Sequence, residues 1–120
     1  MKKVLIVEDN KFLQYTLSTL ISESGLTTVI AGDKQNALKE FNLKRPDLIL
    51  LDKKLPDGDG FEVLKEIKRM DKELPVIMLT SYSDLKVKEE AISLGANAFI
   101  NKPFDNTELI STIEKLLKVS

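Results

Sequence analysis

The chain has 120 residues, 42% hydrophobic and 31% charged, with a formal net charge of −1 at pH 7 and neither cysteine nor histidine. That length suits one domain with one core, and the balance is that of a folded chain rather than a disordered one. Near-neutral charge gives no electrostatic footprint for nucleic acid or an anionic membrane; absent cysteine excludes disulfides and thiolate metal sites, and absent histidine leaves no imidazole base.

Met1-Lys2-Lys3 has the opening charge of a signal peptide, but the apolar run that follows stops at Glu8-Asp9 after four residues. This is too short for a secretory h-region or a membrane span, so a soluble cytoplasmic chain without membrane insertion is expected. The same run, residues 4–7, is the first predicted strand. A helix follows, with Phe12, Leu13, Leu17, Leu20 and Ile21 assigned to one face and Gly25 at the C′ position. Residues 26–31 form the second strand. Asp33 then serves as N-cap for a helix striped by Ala37, Leu38 and Phe41. The third strand, residues 48–51, leads to a helix marked by Phe61, Leu64 and Ile67, which must end before Pro75. The fourth strand, residues 76–79, precedes a helix opened by Ser83, carrying Val87, Ala91, Ile92 and Leu94, and closed near Gly95. After the fifth strand, residues 98–100, Asp105 and Glu108 read as a capping box for a helix with Leu109, Ile113, Leu116 and Leu117.

Strand and helix alternate five times, and the strands are mostly Val, Ile and Leu without polar alternation. This predicts an α/β fold, a five-stranded parallel sheet with five helices on both faces, in a single domain over residues 1–120. Chemistry in such sheets sits at the carboxyl ends of the strands. There strand one runs out into Glu8-Asp9, strand three into Asp52, strand four into Thr80-Ser81, and strand five into Lys102-Pro103. Crowded carboxylates repel and call for a cation, and a hard ion with oxygen ligands such as Mg²⁺ fits. A carboxylate can also attack phosphorus, with the metal, hydroxyl and ammonium stabilising the transferring group. Each residue alone has a plainer reading: Asp52 as a loop residue, Glu8-Asp9 as a helix start, Thr80 as a cap, Lys102 as a solvated charge. Their joint occurrence at four strand ends favours a site.

The stretches Val4-Leu5-Ile6-Val7-Glu8-Asp9-Asn10, Pro46-Asp47-Leu48-Ile49-Leu50-Leu51-Asp52 and Leu55-Pro56-Asp57-Gly58-Asp59-Gly60 resemble the response-regulator receiver family of two-component signalling. Pro75-Val76-Ile77-Met78-Leu79-Thr80-Ser81 and the run from Gly95 to Phe104 extend the match over essentially the whole chain. The resemblance implies a flavodoxin-like receiver fold with strand order 2-1-3-4-5. It implies that Asp52 is the phosphoacceptor and that Asp9, Asp52 and the Lys54 backbone carbonyl ligate Mg²⁺, with Glu8 acting through water. Thr80 corresponds to the switch hydroxyl, Lys102 to the lysine that pairs with phosphoryl oxygen, Phe99 to the switch aromatic, and Pro103 to a residue fixing the lysine loop.

The implied partners are a sensor histidine kinase or histidine phosphotransfer protein as donor, and a downstream protein on the helix 4, strand 5 and helix 5 face. A monomer or weak dimer, without direct nucleic-acid binding, goes with this. The chain would be no enzyme beyond its own phosphorylation and dephosphorylation. One departure is Lys53, where the family usually has an apolar or aromatic residue; Lys53 and Lys54 read more simply as exposed loop lysines. Another is the large Tyr82 near the site, which with Lys54 would shield the phosphoryl group from water. An aspartyl-phosphate hydrolase would need an acid where Lys54 stands, and a degenerate receiver would lack Asp52, Asp9 or Lys102. Asp57-Gly58-Asp59-Gly60 fails as a calcium loop, because its fifth and twelfth positions are Phe61 and Lys68.

Overall fold

Side chains alternate across an extended strand, so a sheet of apolar strands needs cover on both faces. The computed structural model, which describes residues 1–82 and 84–119, shows how this chain supplies it. The elements are β1 (Lys3–Val7), α1 (Lys11–Glu23), β2 (Thr27–Ala31), α2 (Lys34–Lys44), β3 (Leu48–Leu51), α3 (Gly60–Met70), β4 (Val76–Thr80), α4 (Leu85–Ser93), β5 (Ala98–Asn101) and α5 (Asn106–Leu117). The strands pair in parallel in the order β2-β1-β3-β4-β5, the flavodoxin-like arrangement expected. Between β3 and α3, Lys54–Leu55 and Gly58–Asp59 pair antiparallel as a small hairpin outside the sheet.

Two cores result. Leu5, Val7, Ile49, Leu51, Val76 and Met78 face Ala37 and Phe41 of α2, Val63, Leu64 and Ile67 of α3, and Ala91 of α4. The alternate residues Val4, Ile6, Leu48, Leu50, Ile77 and Leu79 face Leu17 and Ile21 of α1 and Leu109, Ile113 and Leu117 of α5. Register aligns Val7 with Leu51, Leu51 with Met78, and Met78 with Phe99, so the central strands reach their carboxyl ends at a common level.

Several local expectations change. Phe12 is 78% exposed, and the buried residues of α1 are Gln14, Leu17 and Ile21. Phe12 lies roughly 140° around the helix from Leu17, off the stripe. β2 is an edge strand with Thr27 and Ile30 exposed, so full cover on both faces does not extend to it. The N-cap of α4 is Asp84, whose side chain accepts the Val87 N–H at 2.8 Å. Ser83, the expected opening residue, lies outside the described residues. Ile92 is half-exposed, leaving Ala91 as the buried residue of that helix. Asp33 and Asp105 cap α2 and α5 as expected, and Gly25 follows α1 at a φ of 85°, a left-handed conformation that favours glycine.

The loop after β3 is held at two points. At Gly60 a Cβ would stand 2.0 Å from the Asp52 carbonyl oxygen, so the backbones meet where no side chain fits. At Asp57 the carboxylate accepts the backbone N–H groups of Lys34 at 2.7 Å and Gln35 at 3.1 Å, taking two free donors at the start of α2. Lys34 returns the contact through its ammonium, 2.9 Å from Glu62 of α3.

Gly60→Ala is expected to cost about 1–3 kcal/mol or more, seen as a lower urea midpoint. The Lys34 and Gln35 N–H groups hold the Asp57 carboxyl below its ordinary value. A depressed carboxyl contributes stability above its unfolded pKa and loses it as pH falls through the folded one. Asp57→Asn should therefore lower the thermal midpoint at neutral pH and flatten the acid limb of the midpoint-versus-pH curve.

Candidate functional site

Where β1 ends, every polar atom of Glu8 is engaged. Its N–H donates to Ala31 O at 3.0 Å, and its carbonyl accepts Gln14 Nε2 at 2.5 Å. Its carboxylate accepts the Asn10 N–H at 3.0 Å on one oxygen and Lys102 Nζ at 2.6 Å on the other. Asn10 in turn caps α1, accepting the Leu13 N–H at 2.9 Å. Asp52 continues the sheet past β3, its N–H donating to Val7 O at 3.1 Å, which brings it beside Glu8. Its Oδ2 accepts Lys102 Nζ at 2.9 Å; the Lys54 N–H stands 3.5 Å from Oδ1, a marginal contact. Lys102 is placed by its own N–H, which donates to Thr80 O at 3.0 Å.

Glu8, Asp9 and Asp52 each offer a carboxylate oxygen within 4.8 Å of the others, with Glu8 and Asp52 buried and Asp9 exposed. Three carboxylates thus face one ammonium. Burial pushes the Glu8 carboxyl up from its ordinary pKa, with Asp52 adding to the effect and Lys102 opposing it. Burial disfavours the Lys102 ammonium too, but hydrogen bonds to Glu8 and Asp52 outweigh it and raise its pKa, so this lysine stays charged. The charge left over and the all-oxygen donors suit a hard divalent cation.

A cleft of about 320 Å³ opens at these groups, lined by Glu8, Asp9, Asp52, Lys54 and Lys102 together with Ser81 and Tyr82. Thr80 and Phe99 do not line it. Thr80 is 0% exposed at the end of β4, and its Oγ1 accepts the Tyr82 N–H at 3.2 Å. Phe99 is half-buried against the core beneath α4. Lys53 is no simple exposed lysine: its Nζ lies 2.9 Å from Asp59 Oδ2 and 4.9 Å from the Phe61 ring centroid, and it does not line the cleft. Lys54 is exposed as expected, its Nζ 5.9 Å from the centre of the Tyr82 ring.

Sequence reasoning missed Asn10 and Gln14. The signal for Asn10 was an N-capping residue type just before the α1 stripe. For Gln14 it was the spacing Gln14, Leu17, Ile21, which puts an amide on the buried face.

A parallel doubly wound sheet with an acidic cluster and a lysine at its carboxyl edge defines a flavodoxin-like α/β protein with a cation-compatible site. Residues 4–114 match the family model of the response regulator receiver domain. The chain is 37% identical over 116 residues to sporulation initiation phosphotransferase F of Bacillus subtilis (strain 168), covering 97% of this chain and 94% of that protein. It is 33% identical over 119 residues to the phosphate regulon transcriptional regulatory protein PhoB of Escherichia coli (strain K12), covering 98% of this chain but 52% of that one. The Francisella response regulator 1452 receiver domain superposes with a TM-score of 0.93 at 31% identity, covering 98% of both chains. The CheY-like receiver domain protein of Methanospirillum hungatei JF-1 superposes at 0.94 with 28% identity, covering 98% of this chain and 94% of that one. The chain belongs to the response regulator receiver domain family, the receiver component of two-component signalling.

With Lys102 the counter-ion of two buried carboxylates, Lys102→Met in chelator-treated buffer at neutral pH should destabilise by about 3 kcal/mol. Asp52→Asn, which removes one like charge and keeps an acceptor for Lys102, should raise the thermal midpoint under the same conditions.

Proposed function

We propose that residues 1–120 act as one receiver unit that accepts a phosphoryl group on Asp52 in a Mg²⁺-dependent reaction. The observation that carries this reading is the convergence of Glu8, Asp9, Asp52 and Lys102 on one cleft. Asp9, Asp52 and the Lys54 carbonyl would hold the ion, with Glu8 acting through ordered water. When bound, Mg²⁺ offsets the carboxylate charge and stabilises the phosphoryl oxygens.

The donor is a phosphohistidine on a sensor kinase or histidine phosphotransfer protein, since this chain has no histidine. An Asp52 oxygen attacks phosphorus, the phosphorus–nitrogen bond to the donor breaks, and the imidazole leaves with its electron pair. Lys102, already 2.9 Å from Asp52, follows the transferred group by exchanging a carboxylate oxygen for a phosphoryl one. Thr80 Oγ1 accepts the Tyr82 N–H, and its own proton remains for a phosphoryl oxygen once the 80–82 segment shifts. These contacts favour one of two arrangements of α4, β5 and α5, with Phe99 moving inward, and a protein target reads that face. The shift is bounded by the difference in phosphoryl contacts between the two states. The setting is cytoplasmic, and the chain itself contacts no nucleic acid.

Incubation with acetyl phosphate and Mg²⁺ should add one phosphoryl group by intact mass, lost with chelator and in Asp52→Asn. A folded, Mg²⁺-loaded protein that gains no mass would refute the reading. Lys54 and Tyr82 wall the cleft, so Tyr82→Ala should shorten the life of the phosphorylated state severalfold, followed by the same mass measurement over time. An unchanged lifetime would remove Tyr82 from the shielding role.

A further inference from the structure

α1 buries an amide where its stripe calls for an apolar residue. Gln14 is 7% exposed, on the same face as Leu17 and Ile21, and an apolar side chain of similar length would satisfy that core contact. Its Nε2 donates to the Glu8 carbonyl oxygen at 2.5 Å. That carbonyl belongs to the peptide group joining Glu8 to Asp9, so the hydrogen bond fixes the plane from which the Asp9 side chain projects. Glu8 has three further anchors, at Ala31, Asn10 and Lys102. Among the described residues the Asp9 carboxylate makes no hydrogen bond to protein, so its direction depends on the backbone beneath it. Gly32 borders the same junction; a Cβ there would lie 3.5 Å from Gln14 Nε2 and 4.0 Å from Glu8 O, so the amide is packed in as well as bonded.

We propose that Gln14 is a positioning residue for cation binding: through the Glu8 carbonyl it orients the Glu8–Asp9 peptide and sets the Asp9 carboxylate against Asp52. The inference rests on the Mg²⁺ reading above and deepens it. Removing the donor leaves a buried carbonyl unpaired and frees the peptide to rotate, so the ligand set must be reassembled when the ion arrives. Outer partners that orient a ligand typically change metal affinity by about 10–100-fold when lost.

The test is calorimetric Mg²⁺ titration of the wild type, Gln14→Met and Ile21→Val. Gln14→Met keeps side-chain length and loses the donor; Ile21→Val disturbs the same helix face two turns further on. Expected are an affinity weaker by roughly tenfold for Gln14→Met and a wild-type affinity for folded Ile21→Val. A second measurement uses the wild type alone: nuclear magnetic resonance should show an exchange-protected Gln14 side-chain proton that shifts together with the Asp9 amide during the titration. Wild-type affinity in Gln14→Met, or a Gln14 resonance indifferent to Mg²⁺, overturns the positioning role and leaves the Mg²⁺ reading standing. Equal weakening in Ile21→Val assigns the effect to general helix packing and overturns it too. A wild type that takes up no Mg²⁺ overturns both.

Discussion

Three carboxylates and one ammonium share the carboxyl edge of the sheet, and most of what surrounds them serves to keep them there. Like charges gathered in a partly dry site repel, and burial removes the water that would screen them. Lys102 satisfies two of the three at 2.6 and 2.9 Å. Backbone groups hold the remainder of the geometry: Ala31 and Asn10 around Glu8, Val7 behind Asp52, and Thr80 behind Lys102. The arrangement gathers like charges at a site already held by the fold, a combination suited to a hard cation, because the ligands need not be brought together first.

That rigidity comes from the doubly covered sheet. Two cores on opposite faces lock β1, β3 and β4 in register, and their ends arrive level with one another. The loops beyond them are tied back one by one. Asp57 binds the loop after β3 to the start of α2, and Gly60 lets that loop fold over Asp52. On the other side, Lys68 of α3 donates to Leu74 O at 2.6 Å and Asn97 Oδ1 at 2.9 Å, joining the loop before β4 to the loop before β5. Burial lowers the pKa of that lysine, with the charges of Asp71 and Glu73 opposing the shift. Thr80 and Phe99 lie outside the cleft, with Thr80 at the end of β4 and Phe99 in the edge strand β5, next to the thinly buried α4. Among the described residues α4 buries one side chain, Ala91, fewer than any other helix, and elements with few buried contacts open at lowest cost.

The strand runs, the helix caps at Asp33 and Asp105, and the glycine after α1 could all be read from local chemistry, because apolar periodicity and capping are set by neighbours in the chain. So could the residues that occupy the strand ends, since five apolar runs locate those ends within a residue or so. The sequence by itself therefore determined the order of strands and helices in the main sheet, which residues stand at the strand ends and, through the resemblance of its motifs, the family. Which face a helix turns inward, which strand lies at the edge, and which partner a polar atom takes were decided only by packing. Phe12 faces solvent and Gln14 the core because α1 docks by the stripe centred near Leu17, and Lys53 is paired because Asp59 returns to it across a hairpin. Such outcomes depend on groups far apart in the chain or on the angle at which an element lands, and neither is encoded in any short window of residues.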